Sequence, residues 1–174
     1  MSDPTAAILA ELDRLFPDAS GPGERALLGA QTVDAPQAVL ARAPRAVRAL
    51  ILGMGLGGDY VHCPPTGEPW TYLMGLEDFE LANGPTGLIG HCVARGLLPP
   101  GVLEIGGHLL VDPEGAMPAG IRGAVYRVPP GAVIDVRTRP VASSILEFLR
   151  VSAPDAPLGP GWIPDDEDTV PAPF

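Results

Sequence analysis

Glycine and proline together make up about a quarter of this 174-residue chain, with 22 residues of each. Both interrupt regular structure, because proline lacks a backbone donor and glycine loses the most conformational freedom on folding. The content is close to the roughly 25–30% at which composition alone indicates disorder. Leucine, isoleucine, valine and phenylalanine, however, account for 47 residues, which exceeds the roughly 20% typical of disordered chains. We therefore predict one globular domain with many turns.

The charge balance is strongly acidic. Asp and Glu number 21 against 11 basic residues, all of them arginine, for a formal net charge of −10. Without lysine, the chain has no P-loop lysine, Schiff-base lysine or lysine general base. Strong negative charge disfavours nucleic acid and anionic membranes as partners. The composition instead favours a basic protein partner.

The sequence has neither the pattern of a signal peptide nor that of a membrane span. Its first apolar cluster contains Glu11, Asp13 and Arg14, and its longest apolar runs are far shorter than a bilayer requires. Two cysteines, Cys63 and Cys92, are too few for a secreted disulfide framework. We therefore expect a cytoplasmic protein.

The N-terminal half has mainly helical patterns. Residues 4–16 place apolar side chains on one face, with Asp3 and Pro4 as start signals and Pro17 as the stop. Further helices are predicted over 24–30, 35–41 and 44–52. A strand is predicted over 70–74, a loop or single helical turn over 77–81, and an ambiguous helical spacing over 86–97.

From Pro99 onward, short apolar runs alternate with glycine and proline. The runs 102–105 and 108–111 flank a Gly-Gly pair, which predicts a β-hairpin. Two more runs, 124–128 and 132–136, predict a second pair of strands.

The C-terminal end combines a helical pattern with a proline-rich tail. Pro140 is predicted to open a helix, with a buried stripe that ends at Leu149. Residues 153–174 contain six prolines and the acidic run 165–168, which predicts irregular structure. We therefore divide the chain into a single α+β domain over 1–152 and a Pro-rich acidic tail over 153–174.

The string GMGLGG at 53–58 contains the G-x-G-x-x-G of dinucleotide-binding folds. That motif requires a strand before it and a helix after it. Here a predicted helix precedes it, and the segment 59–65, which ends in two prolines, follows it. We therefore expect no nucleotide and no other cofactor.

All three histidines and both cysteines lie between residues 62 and 108, as His62-Cys63, His91-Cys92 and His108. Zinc is bound by tetrahedral sets of Cys and His, and a Cys–His pair can act in nucleophilic catalysis. Neighbours on a strand face opposite sides, however, so adjacent His-Cys pairs are poor ligand sets. We predict no catalytic residue and no metal site, with a small metal-binding protein or enzyme as the alternative.

Acidic and aromatic residues in the middle of the chain are the candidate contacts for a protein partner. Carboxylates steer a basic partner onto a surface, and Trp and Tyr are enriched at binding hot spots. The predicted partner-binding residues are Asp59, Tyr60, Trp70, Glu77, Asp78 and Glu80.

The order of motifs in the C-terminal half has a family resemblance. LPPGVLEIGG (98–107) enters a strand through Leu-Pro-x-Gly, and HLLVD (108–112) is a strand that ends in Asp. AVYRV (124–128) has a Val-Tyr core, and VASSILEFL (141–149) is a closing helix. In the other half, AVRALILGMGLGGD (46–59) is a helix with a Gly-rich stop. This order resembles the SUKH superfamily, which includes bacterial toxin-immunity proteins and a fungal cell-wall-synthesis regulator.

The resemblance implies an α+β fold in which a mostly antiparallel curved sheet is flanked by helices. It also implies a protein-binding role that needs no catalytic residues. We therefore expect an intracellular bacterial immunity protein that neutralises a toxin by direct occlusion, with a basic toxin domain as partner. A signalling or secretion scaffold domain with the same fold is the alternative.

Overall fold

The computed structural model describes residues 3–17, 38–63, 68–129 and 132–154. A curved antiparallel sheet, shaped like half a barrel, is flanked by helices, which confirms the predicted α+β class. The helices are α1 (Thr5–Leu15), α2 (Ala38–Arg42), α3 (Arg45–Met54), α4 (Leu76–Asn83), α5 (Leu88–Ala94) and α6 (Ile145–Val151). The strands are β1 (Asp59–Cys63), β2 (Glu68–Leu73), β3 (Leu103–Gly106), β4 (Leu109–Asp112), β5 (Ala124–Arg127) and β6 (Ala153–Pro154).

The sheet has the strand order β5-β4-β3-β2-β1-β6, and all its described neighbours are antiparallel. Tyr60 in β1 lies opposite Tyr72 in β2. Glu104, Leu110 and Tyr126 line up across β3, β4 and β5. Because directly opposed residues of an antiparallel pair share a face, the register decides which side chains meet.

One face of the sheet, which we call the closed face, carries the main apolar core. The buried strand residues of this core include Val61, Leu73, Ile105, Leu109, Val111 and Val125. Helices α1, α3 and α6 complete this core with fully buried side chains such as Leu12, Leu50 and Phe148. Gly53 allows α1 and α3 to approach closely, because a Cβ there would lie 2.5 Å from Leu12 Cδ1. Burial of this apolar surface supplies most of the stability.

The opposite face, which we call the open face, carries Tyr60, Tyr72, Glu104, Leu110 and Tyr126. A smaller apolar cluster covers its β4–β5 end, made of Ile89, Leu98, Val102, Leu110, Met117, Ala124 and Tyr126. Toward β3, β2 and β1 the cover is less complete. A cleft between the sheet and helices α4 and α5 occurs there, and a second cleft lies on the other side of α5.

The prediction of a strand over 132–136 is wrong. Residues 132–135 have no regular structure, and the side chains of Val133 and Val136 are 80% and 76% exposed. Ala142 instead forms an isolated bridge with Val125, and the Val141 N–H donates to the Val125 carbonyl at 2.8 Å. This later segment lies beside β5, where a further strand would pair.

The helix predicted to open at Pro140 begins five residues later, at Ile145. The Ser144 hydroxyl accepts a hydrogen bond from the Glu147 N–H at 3.1 Å, and the Glu147 carboxylate accepts one from the Ser143 N–H at 2.7 Å. This reciprocal arrangement resembles a capping box. The cap, together with the bridge at Ala142, therefore decides where α6 starts.

Several other elements differ in extent from the sequence predictions. The N-terminal helix is confirmed as α1, whereas the helix predicted over 24–30 lies outside the described residues. The segment 77–81 belongs to a full helix, α4. Ala153 and Pro154, placed in the tail by the sequence, form β6 and pair with β1, while 155–174 lie outside the described residues.

No helix in the described part of the chain combines the length and the apolar character that crossing a bilayer requires.

Candidate functional site

The open face contains a cleft of about 680 Å³, which we call the acidic cleft. It lies between the β1–β3 part of the sheet, helix α4 and the start of α5. Its polar side chains include Tyr60, Tyr72, Asp78 and Glu104, and its apolar walls include Met74, Leu81, Ala82 and Leu88. A mostly apolar cleft with a few converging polar groups is the usual form of a binding site.

Two tyrosines form one side of the acidic cleft. The rings of Tyr60 and Tyr72 lie 5.2 Å apart between centroids and are inclined by 52°. The Tyr72 hydroxyl donates a hydrogen bond to the Asp78 carboxylate, which ties β2 to α4. Burial and, next, this hydrogen bond raise the pKa of Tyr72. The phenol therefore stays neutral and keeps Asp78 oriented, while Tyr60 remains 40% exposed.

Glu104 forms the floor of the acidic cleft and is only 3% exposed. Its backbone is held by Asn83, whose amide accepts from the Glu104 N–H at 2.7 Å and donates to the Glu104 carbonyl at 2.9 Å. None of the described residues hydrogen-bonds its carboxyl group. Burial raises the pKa of Glu104 to about 7, because an unpaired charge is costly in an apolar environment.

A second buried carboxylate differs from Glu104 in having hydrogen-bond partners. Asp112 is 1% exposed, and its two oxygens accept hydrogen bonds from the N–H groups of Ala116 and Met117, each at 2.9 Å. Asp112 thus organises the turn after β4. Buried polar groups normally have such partners, so the bare carboxyl of Glu104 requires its own explanation.

A second cleft, of about 260 Å³, lies on the other side of α5 and shares Leu88 and Glu104 with the first. Cys92 and His108 contribute to its lining. The rims of the two clefts carry large apolar side chains that are about half exposed or more: Leu81 (68%), Leu88 (48%), Leu97 (60%) and Val133 (80%). Contiguous exposed apolar side chains with polar groups among them are typical of interaction surfaces.

The predicted contact residues divide into those beside the acidic cleft and those elsewhere. Tyr60 and Asp78 line the cleft. Asp59 and Glu77 are exposed neighbours of these two residues along β1 and α4. Trp70 belongs to β2, but its side chain lies outside the described residues.

The Glu80 side chain contacts the start of helix α2 and does not line the acidic cleft. Its carboxylate accepts hydrogen bonds from the backbone N–H groups of Val39 and Leu40, at 3.2 and 3.0 Å. It therefore caps the start of α2, where the first N–H groups have no partner within the helix. We leave Glu80 out of the candidate contact surface for this reason.

The described histidines and cysteines are not all brought together. Cys63 is buried in the closed-face core and His91 is exposed, whereas the half-buried Cys92 on α5 lines the second cleft together with His108. Within the described ranges, no group of three or more His, Cys, Asp or Glu side chains is placed to hold a metal ion. The glycines at 53–58 link helix α3 to strand β1, which is the reverse of the order that a dinucleotide site requires.

Sequence reasoning missed the most unusual residue of the site, Glu104. The available signal is a lone acidic residue between Leu103 and Ile105 in a predicted strand. Alternation along a strand places it opposite its two neighbours, but the closure of the open face over it depends on α4 and α5. The hydrogen bond from Tyr72 to Asp78 likewise has no signal in the sequence.

Comparisons of the chain with protein-family models, curated proteins and solved structures give no significant match.

Proposed function

We propose that this protein is an intracellular protein-binding module of the SUKH type, an immunity protein that neutralises a toxin by direct contact. The open face is its contact surface. The observation that carries the proposal is the acidic cleft, in which a buried carboxyl and a pair of tyrosines are surrounded by exposed apolar side chains.

The composition of the open face supports a protein partner. Interfaces combine an apolar centre with a polar rim, and they are enriched in tyrosine. Leu81 and Leu88 supply exposed apolar area, Tyr60 and Tyr72 supply rigid aromatic area, and Asp78 is already oriented by a hydrogen bond. A partner that covers these side chains removes apolar surface from water, which favours association.

The charge of the chain supports a basic partner. The net charge is −10. Asp78 lines the acidic cleft, and the exposed Asp59 and Glu77 adjoin cleft residues in the sequence. Such residues raise the rate of association with a positively charged surface more than they raise the final affinity. We therefore expect a basic toxin domain whose functional surface is blocked when the open face binds it.

A pull-down with the products of neighbouring genes, at low and high salt, tests this proposal. We expect a basic partner that is retained by the wild type and released at high salt. The double variant Tyr60→Ala/Leu88→Gln is expected to weaken retention about tenfold or more, since hot-spot truncations commonly cost over 1 kcal/mol. The matched control is Leu56→Gln, which also removes an exposed apolar side chain (65% exposed) but lies outside both clefts.

Two outcomes would count against the proposal. The first is that no neighbouring gene product is retained, or that retention does not respond to salt. The second is that the double variant and the control bind equally well. Co-expression separates an immunity protein from a scaffold, because an immunity protein relieves the toxicity of its partner and a scaffold binds without relieving it.

A further inference from the structure

Two buried side-chain groups of the open face, the Glu104 carboxyl and the Tyr126 hydroxyl, have no hydrogen-bond partner among the described residues, and Glu104 is the one that lines the acidic cleft. Ser152 and Asp112 are also buried polar residues, and each has a partner: the Ser152 hydroxyl donates to the Phe148 carbonyl at 2.7 Å, and Asp112 accepts two backbone N–H groups. Burial alone raises the pKa of Glu104, so no charged neighbour offsets the cost of burying its carboxylate. A buried carboxylate of this kind is normally paired.

The geometry points to an arginine side chain of the partner that enters the acidic cleft and pairs its guanidinium group with the Glu104 carboxylate. This inference rests on the proposed function, because it names the chemistry by which the partner is held. Glu104 lines the acidic cleft and is reached from it, so the missing partner group has a path from outside. The net charge of −10 favours the approach of a cation.

The walls of the cleft suit arginine in particular. A guanidinium group donates two parallel hydrogen bonds to a carboxylate and stacks on aromatic rings, and it is less strongly hydrated than an ammonium group. Tyr60 and Tyr72 offer ring surface, and Asp78 adds a second carboxylate. Leu81 and Leu88 offer apolar contact for the aliphatic stem of the side chain.

The test uses arginine blocked at both ends with small neutral groups, and blocked citrulline as the neutral probe of nearly the same shape. Binding to the wild type is measured from NMR shifts of the amides of residues 72, 88 and 104. We expect arginine to bind about tenfold or more tightly than citrulline, as a buried charge pair is worth more than 1.4 kcal/mol. Glu104→Gln is expected to abolish this preference, and Glu114→Gln, which removes an exposed carboxylate outside both clefts, is expected to keep it.

The pH dependence gives a second readout. Arginine is charged throughout, whereas Glu104 ionises with a pKa of about 7, so arginine affinity should rise about tenfold from about pH 6 to about pH 8. Asp78, Tyr60 and Tyr72 face the acidic cleft. Cys92 and His108 face the second cleft. The part of the pH response that belongs to Glu104 is the part that Glu104→Gln removes.

The inference is overturned if arginine and citrulline bind equally well, or if the preference for arginine survives in Glu104→Gln. Should that variant fail to fold, Thr86→Trp takes its place, because Thr86 is exposed at the lining of the cleft and a larger side chain there obstructs entry. If the cleft variants release a partner but the probes show no preference, the protein-binding function stands and this inference fails. If the probes show the preference but no partner is found, the arginine site stands and the proposed function fails.

Discussion

The two faces of the sheet differ in whether their buried side chains have suitable partners. On the closed face, apolar side chains from α1, α3 and α6 pack against apolar strand residues such as Ile105 and Val125. On the open face, Glu104 is buried as deeply, yet no described residue pairs with its carboxyl. The closed face stabilises the fold. The open face retains the free-energy cost of a buried carboxyl without a partner, which we propose a bound protein removes. Variants of the two faces should therefore separate effects on stability from effects on binding.

The largest expected effect is on the closed face. Phe148→Ala removes a fully buried ring from α6 and should lower the free energy of unfolding by about 3–5 kcal/mol, through lost burial and the cavity that remains. Urea denaturation followed by circular dichroism measures the change. A loss below 1 kcal/mol would show that α6 is not part of the stabilising core.

The next effect is on the pH dependence of stability. Glu104 has a folded pKa of about 7 against an ordinary value of 4.5, so between these values the folded state holds a proton that the unfolded state has released. The contribution of Glu104 to stability should therefore be fully present below about pH 4.5 and fall by about 2 kcal/mol up to pH 7, a value below the full linkage cost because the cleft is open to solvent.

Glu104→Gln should remove this component. The variant should match the wild type near pH 5 and exceed it at pH 8, as measured by urea denaturation at both values. Other groups contribute to the pH dependence of stability, so the quantity to compare is the difference between wild type and variant. Equal differences at the two pH values would mean that the Glu104 carboxyl is not held in an apolar environment.

A smaller effect is expected within helix α4, in which the Glu80 carboxylate reaches the start of α2 while Glu77 is exposed. Glu80→Ala removes the acceptor for the Val39 and Leu40 N–H groups and should cost about 1–2 kcal/mol in unfolding free energy. The exposed Glu77 is the matched control, and Glu77→Ala should change stability by less than about 0.5 kcal/mol. Equal losses in both variants would contradict the capping role.

Tyr126→Phe tests a second polar group buried against the open-face cluster. Tyr126 is fully buried, and its hydroxyl has no hydrogen-bond partner among the described residues. Removing the hydroxyl leaves the ring packing intact, so stability should rise by about 1 kcal/mol. Thermal denaturation measures the shift, and a clear loss of stability would show that the hydroxyl has a partner in the folded protein.

The smallest effect is expected at the rim of the acidic cleft. Leu81→Gln replaces a side chain that is 68% exposed with another good helix former, so the free energy of unfolding should change by less than about 0.5 kcal/mol. Partner retention should nevertheless fall. A stability loss comparable to that of Phe148→Ala would place Leu81 in the core instead of on a contact surface.

The sequence predicts the elements that carry a strong local signal. The N-terminal helix, the helix after Pro44 and the β3–β4 hairpin are confirmed because apolar spacing, proline and glycine define them locally. The segment 132–136 also has an apolar pattern, but a strand needs a neighbour with free backbone groups. The edge of β5 is occupied at Val125 by Ala142, which lies well beyond that segment in the chain.

The candidate site is predicted only in part. Tyr60 and Asp78 are identifiable as an aromatic and an acidic residue in a turn-rich region. The same reasoning selects Glu80, which caps α2 instead, because residue type does not reveal which way a helix turns its carboxylates. Glu104 escapes notice because a single acidic residue on a strand is ordinary until its surroundings are known.

The amino-acid sequence by itself determined the acidic charge of −10, the lack of lysine chemistry and a turn-rich α+β chain. These properties depend on composition and local pattern, which do not change when the chain folds. Only the tertiary structure decided that β3 lies between β2 and β4 and that α4 and α5 border Glu104. Burial of a carboxyl without a partner is a property of distant segments brought together, and so no local pattern contains it.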